Sequence, residues 1–361
     1  MALNTHQLNL RWISISMATG RIIAEFPDVQ WTTVEARLND YSTATIDIPW
    51  ENAPINWHEA SEPAKTVFLL LSGDLPLWGG WVQERTRNLG DASFTLSLVT
   101  WEGYLERQFV PDMHFWGTGQ TRIAAMLVLE KENERNPIRV KSFESAYKRD
   151  RIYSDIDDKT VLSALQDLSN ITNGVDWTIT WKNDGGGYFY PLLTVADTLG
   201  SLQPVTTFNV ESLASFSVND SYTSENGANK VRATSSAEGD VRPQSWWLYG
   251  TDTSMPLFER SFTPSSSITN VSTLTAHAQN ELETVKDGAH FLSFVFDFLT
   301  APVLGVEWGI GDVIAWRIPE IKEQFPEFWA GQARCIGYSI SFSSGAPTIT
   351  PVLFGKGDMQ L

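Results

Sequence analysis

Apolar and polar residues alternate over most of the first hundred positions. Leu10–Ile15, Arg21–Phe26, Trp31–Leu38 and Thr43–Ile48 each alternate or run short and apolar between turn-forming residues, the pattern of half-buried strands. The stretch 66–71, TVFLLL, is continuously apolar and predicts a strand buried on both faces. The stretch 75–86, LPLWGGWVQERT, predicts a strand, a Gly-Gly bend and a second strand, and Ser93–Trp101 alternates with Phe94, Leu96 and Leu98 on one side. Asn52–Pro63 is polar and predicts a loop. About seven short strands with frequent turns point to a small barrel or sandwich over residues 1–105.

The period then changes. Thr121–Asn133 and Asp158–Ile171 carry apolar residues at helical spacing; in the second, Val161, Leu162, Leu165, Leu168 and Ile171 form the stripe. Asp157 or Asp158 is the expected N-cap, and Gly174 the left-handed residue after the helix. Val175–Trp181 and Tyr188–Val195, joined by KNDGGG, predict a hairpin. Residues 106–204 therefore read as an α+β domain. From 205 onward the pattern returns to strands: Ser212–Asn219, Asn229–Ser235, Val241–Tyr249 and Phe291–Phe298. A helix over Ser272–Val285 interrupts them, with Leu274, Ala278, Leu282 and Val285 on its apolar side. The last stretch predicts a Gly-Asp turn into a strand after Trp308, then two strands across a small-residue turn between Cys335 and Leu353. The expected fold class is α+β, mainly β.

Composition changes this picture in three respects. The 361 residues are 42% hydrophobic, enough for two or more cores. Fifteen Trp invite either core packing or an aromatic binding surface. The net charge of −17 argues against an electrostatic grip on nucleic acid, which needs Lys and Arg to displace counterions, though it suits a wall that nucleic acid passes without sticking. The single cysteine, Cys335, excludes a disulfide within the chain and reads as a small core residue. No signal peptide or membrane-length apolar run is evident, so the sequons at Asn170, Asn219 and Asn270 read as chance matches.

Candidate chemistry is sparse. The histidines His6, His58, His114, His277 and His290 show no metal-ligand spacing. The run 155–166, DIDDKTVLSALQ, starts like a calcium loop but lacks its sixth-position Gly and twelfth-position Glu. Glu102, Glu106, Asp176, Asp297, Glu307 and Asp312 lie near aromatics and could supply a glycosidase pair, yet no spacing joins two of them. Asp312, in GIGDV, reads as a turn residue bonding its own backbone. Trp177 and Trp181 share strand parity, and Trp78 and Trp81 flank the Gly-Gly pair; core or interface packing is the expectation for them. No catalytic, cofactor-binding or metal residue is nominated.

Several segments, in order, resemble phage tail hub proteins, the baseplate or tail-tip hubs also called minor tail proteins. They are STATIDIPWENA (42–53), LPLWGGWVQERT (75–86), FTLSLVTWEGYLERQFV (94–110), DKTVLSALQDLSNITNGVDWTI (158–179), GIGDVIAWRIPE (309–320) and RCIGYSISFSSGAPTITPVL (334–353). The 158–179 unit is similar to tail proteins of long-tailed phages infecting actinobacteria. The resemblance implies two tail-tube-like barrels, residues 1–105 and 205–361, separated by the α+β domain 106–204, with a helix-containing insertion at about 250–290. It implies a homotrimer whose paired barrels adapt a sixfold tail tube to a threefold tip. Its implied partners are a distal tail ring protein, a tape-measure protein and other tail-tip proteins, with DNA passing through the lumen without specific binding. It implies no enzymatic activity. The chain stops soon after the second barrel, where many such hubs carry lysin or fibre extensions. Two other readings stay open: a distal tail ring protein, and a cell-wall carbohydrate-binding or hydrolysing module.

Overall fold

The computed structural model describes residues 10–29, 32–130, 137–171, 173–235, 242–264, 270–320, 329–342 and 346–354. The protein is mainly β, with 48% strand and 17% helix. It divides into two compact units, the first containing Met1–Ala214 and Phe294–Phe354, the second Ser215–Ser293.

The first unit opens with β1 (Leu10–Ser16), β2 (Ile22–Phe26), β3 (Thr33–Arg37), β4 (Thr43–Pro49), β5 (Thr66–Ser72), β6 (Leu75–Thr86) and β7 (Ser93–Thr100). Six of them form an antiparallel sheet in the order β2-β1-β5-β6-β7-β4. The continuously apolar β5 sits inside it with every residue buried. In β4 the alternation is followed: Ala44, Ile46 and Ile48 are buried, while Thr43 and Thr45 are exposed. The polar stretch expected to be a loop holds one helical turn, α1 (Trp57–Ala60), where Trp57 packs edge-on to Trp50. Trp101 begins α2 (Trp101–Tyr104).

The Gly-Gly bend predicted inside 75–86 does not occur; β6 is one continuous strand of twelve residues. The glycines serve packing instead. A Cβ on Gly79 would lie 2.2 Å from Trp181 Nε1 and 2.4 Å from Leu69 Cδ2, and one on Gly80 would lie 2.6 Å from the Trp78 ring. The two residues let large rings lie flat on the sheet.

The chain continues through β8 (Met113–Gly119), α3 (Gln120–Leu129), β9 (Arg139–Ser142), β10 (Lys148–Tyr153), α4 (Val161–Ser169), β11 (Asp176–Asn183) and β12 (Phe189–Ala196). β8 and β10 form a two-stranded ribbon, and β11, β12 and β9 a three-stranded sheet. Val161, Leu162, Leu165 and Leu168 of the stripe are the buried face of α4, joined in one core with Ile123 and Leu127 of α3, Trp177 and Leu193, whereas Ile171 lies half-buried beyond the helix end at Ser169. Both predicted helix ends are corrected. Thr160, not Asp157 or Asp158, is the N-cap, its Oγ1 accepting from Ser163 N at 3.1 Å, because Asp158 lies in a left-handed turn before the cap position. After the helix Asn173, not Gly174, has positive φ; Gly174 packs against the carbonyls of Leu168 and Ser169.

Next come β13 (Pro204–Asn209), β14 (Leu213–Ser221), β15 (Lys230–Ala233), β16 (Leu248–Tyr249), β17 (Glu259–Phe262), α5 (Val271–Val285), β18 (Ala289–Asp297), β19 (Val313–Ile318), β20 (Trp329–Ser341) and β21 (Thr348–Phe354). Their main sheet runs β13-β19-β20-β21-β18-β14, and β14 and β18 carry the chain into and out of the second unit. β3 leaves its own neighbours and pairs with β20, from Thr33↔Ser341 to Arg37↔Gly337. Neither large sheet closes on itself among the described residues.

The second unit is a β16-β15-β17 sheet covered on one face by α5. Leu274, Ala278, Leu282 and Val285 pack on Ala228, Val231 and Ala233, as the helical period predicts. Asn270 caps the helix, its Oδ1 accepting from Ser272 N at 2.8 Å. The strand expected over Val241–Tyr249 reduces to Leu248–Tyr249, and Val241 lies outside the described residues.

Candidate functional site

The first unit contains a cleft of about 230 Å³ where β6, β11, β20 and the 304–310 loop converge. Trp78 and Gly79 line one side, Thr178–Lys182 another, and Leu304, Gly305, Gly309 and Ile310 a third. Its polar lining consists of Glu102, Tyr338, Lys182, Thr100, Thr178 and Thr180. Glu102 is buried at the start of α2, with Oε1 accepting from Ile179 N at 2.9 Å. Burial pushes its carboxyl up to about 7, against the opposing pull of that hydrogen bond. Tyr338 is pushed above its usual range by burial and by the nearby Glu102, and its hydroxyl donates to Leu77 O. The Trp78 indole donates to Glu35 O at 2.7 Å, so β3, β6 and β20 are tied together at this seam.

Beside the cleft lies a polar knot. Arg334 donates to Gly311 O at 3.0 Å, to Leu199 O at 2.8 Å and to the carboxylate of Asp176. Asp176 also accepts from Leu199 N at 2.9 Å. Asp312 does not cap its own turn as predicted: its Oδ1 accepts from Ser201 N, 111 residues earlier, at 2.8 Å. Gly200 and Gly311 lie back to back with positive φ, and a Cβ on Gly200 would sit 2.2 Å from the Gly311 carbonyl carbon. Nothing in the sequence around Arg334 singles it out, because its acceptors come from the start of β11 and from two loops elsewhere in the chain.

The six acids near aromatics are thus separated by role. Asp176 and Asp312 belong to the knot. Glu307 accepts from Val303 N at 2.6 Å and Asp297 from Leu299 N at 2.8 Å, each closing a local turn. Glu106 lies exposed in the helical turn after α2. Among the described residues Glu102 is the one carboxylate lining the cleft, so the cleft presents no acid pair. The calcium-like run forms a single 3-10 turn at Asp155–Asp157 followed by the Thr160 cap. No group of three His, Cys, Asp or Glu side chains among the described residues is placed to hold a metal ion. His58, His114 and His277 are exposed on separate elements, His6 lies outside the described residues, and the side chain of His290 is likewise not described. Cys335 is fully buried, as expected, and burial pushes its thiol up to about 12. No described helix is long and apolar enough to cross a membrane.

Trp78, Trp81, Trp101, Trp177 and Trp181 are all buried, so they build core and offer no platform. Trp101 packs on Tyr104 and Trp181, and Trp12 meets Trp78 edge-on. Among the described residues the exposed tryptophans are Trp116 and Trp246, which sequence reading did not separate from the rest.

Neither a protein-family model nor a curated protein matches the sequence. The fold, however, is that of phage tail proteins. The chain is similar to a tail protein of Neisseria meningitidis, with a TM-score of 0.56 at 12% identity over 96% of both chains. It is similar to the 43 kDa tail protein of prophage MuSo2 from Shewanella oneidensis, with a TM-score of 0.54 at 11% identity over 95% of this chain and 98% of that one. A weaker likeness, with a TM-score of 0.47 at 13% identity over 96% and 77%, is to a type VI secretion component of E. coli.

Proposed function

We propose that this chain is the structural hub subunit at the distal end of a long-tailed phage tail, made in an actinobacterial host and assembled as a homotrimer. The observation that carries the reading is the end-to-end match to two tail proteins, with nearly the whole of each chain aligned. In this reading residues 1–105 and 205–361 supply two barrel walls per subunit, and 106–204 form the α+β domain between them. The insertion at about 250–290 decorates the second wall. Three subunits then present six walls to a sixfold tube while keeping threefold symmetry toward the tip. Strand edges and loops bind the distal tail ring, the tape-measure protein and further tip proteins. The acidic lumen lets DNA through without gripping it. The protein has no catalytic role, which suits a cleft whose one carboxylate, Glu102, and whose tyrosine, Tyr338, are bound into the fold.

Subunit counting tests this. Native mass of the purified protein and an averaged image of the tail tip are expected to give three copies in the virion. Six copies in the ring would replace the hub by a distal tail ring protein. Turnover of host wall glycan by the purified protein, lost on substituting one acid pair, would replace both by a wall hydrolase.

A further inference from the structure

The cleft exposes part of a free strand edge. Among the described residues β11 pairs with β12 and with no other strand. Trp181 stands opposite Pro191, which has no N–H, so these two residues cannot exchange hydrogen bonds. The Trp181 N–H and carbonyl therefore point away from β12, in step with those of Trp177 and Ile179. On that side two residues stand in for a neighbouring strand. Asn39 Oδ1 accepts from Trp177 N at 2.7 Å, and Asn39 N donates to Trp177 O at 3.0 Å. Glu102 Oε1 accepts from Ile179 N at 2.9 Å. The mimicry ends there: no described residue bonds the carbonyl of Ile179 or the N–H and carbonyl of Trp181. These groups recur every second residue, roughly 7 Å apart, along the cleft wall formed by Thr178–Lys182.

A row of acceptor, donor and acceptor at this spacing is the complement of an extended backbone. The volume of about 230 Å³ is below the roughly 300–1,000 Å³ of sites that enclose drug-sized ligands, so the cleft takes a short segment. Leu77, Trp78, Leu304 and Ile310 give it an apolar lining. One end is blind, since Glu102, Thr178 and Ile179 are buried, whereas Lys182 at the other end is exposed. A strand laid along the edge from the open end cannot run past Glu102 and Asn39, which hold the next positions. It has to terminate there, against a buried carboxyl. Glu102 takes hydrogen bonds from Ile179 N, from its own N–H and from Thr100. A carboxylate offers about four acceptor sites, which leaves one for an incoming donor. An amino terminus supplies that donor, and a carboxyl terminus would be repelled.

We infer that the cleft captures the amino-terminal end of another polypeptide, added as a strand parallel to β11. The second residue of the captured chain lies opposite Thr180, donating to Ile179 O and accepting from Trp181 N. The ammonium group of its first residue lies against Glu102. This goes beyond the hub reading and is independent of copy number, so no outcome of subunit counting bears on it.

The test titrates three probes calorimetrically into the full chain and into Glu102→Gln. They are a tetrapeptide of alternating alanine and valine with a free amino terminus, the same peptide N-acetylated, and n-butylamine. The carboxamide of the variant keeps an acceptor for Ile179 N, and its unfolding transition checks that it is folded. The free peptide should bind the parent saturably and slow hydrogen exchange at the Trp181 amide. Acetylation and Glu102→Gln should each weaken binding about tenfold, the worth of one hydrogen bond to a charged group. The two changes together should cost no more than either alone. Failure of the free peptide to saturate, or binding that leaves Trp181 exchange unchanged, overturns the inference. Equal affinity for the acetylated peptide overturns it in favour of an edge that takes chain interiors. Butylamine binding as tightly as the peptide overturns it in favour of a simple cation pocket. The hub reading stands in each case.

Discussion

Arg334 reaches across 158 positions to pair with Asp176, and the same guanidinium holds the carbonyls of Leu199 and Gly311. Both side chains are mostly shielded from water. An ion pair in this setting is worth little relative to an apolar pair of the same shape, but leaving one member alone is costly. Replacing Arg334 by Met strands the Asp176 carboxylate and frees two carbonyls, and should destabilise by about 3–5 kcal/mol in denaturant unfolding. The double variant with Asp176→Asn should cost clearly less than the sum of the singles. Additive losses would show that the two side chains do not act as a pair.

Glu102 makes stability depend on pH in a direction opposite to that of most acids. Its carboxyl titrates near 7 in the fold against an ordinary 4.5. Below 4.5 both states are protonated and the fold pays nothing for this group. Between 4.5 and 7 the unfolded chain releases the proton while the fold holds it, so stability falls by about 3 kcal/mol and then levels. Glu102→Gln should remove that slope and leave the variant more stable than the parent at pH 8. Urea midpoints measured from pH 4 to 8 with equal slopes for both proteins would contradict it.

The close approach of Trp181 to β6 predicts that Gly79→Ala destabilises by about 1–3 kcal/mol through overpacking. Truncating Trp181 to Ala in the same chain should recover part of that loss, even though Trp181→Ala alone is damaging. No recovery in thermal unfolding would mean that another neighbour sets the constraint.

Thr160→Ala should cost about 1 kcal/mol through loss of the α4 cap, whereas Asp157→Ala should be nearly neutral. The reverse order of the two melting temperatures would return the cap to the aspartates.

The elements that sequence alone made readable are those whose reasons are local. The stripes of α4 and α5 and the alternation of β4 are each written within one turn or one strand, and the structure keeps them. The glycine pair of β6 was misread because the reason for Gly79 is a ring about a hundred residues later. Asp312 was misread for the same cause, its partner Ser201 lying on another loop. Of the candidate site, Glu102, Asp176 and Asp312 stand out in the sequence as acids near aromatics, but their environments depend on tertiary neighbours such as Arg334 and Ile179. Trp116 carries no signal that separates it from fourteen other tryptophans; its exposure follows from a ribbon that lies outside both large sheets.

The pairing of β3 with β20 has a consequence for biosynthesis. Thr33 Oγ1 donates to Ser341 Oγ at 3.0 Å across 308 positions. The strand Thr33–Arg37 is made early but has no ladder to join until the end of β20 leaves the ribosome. At about 5–20 residues per second, that wait is on the order of tens of seconds. Throughout it, a short strand with an open edge stays available to wrong partners, and a nascent-chain chaperone is the protection such a topology calls for.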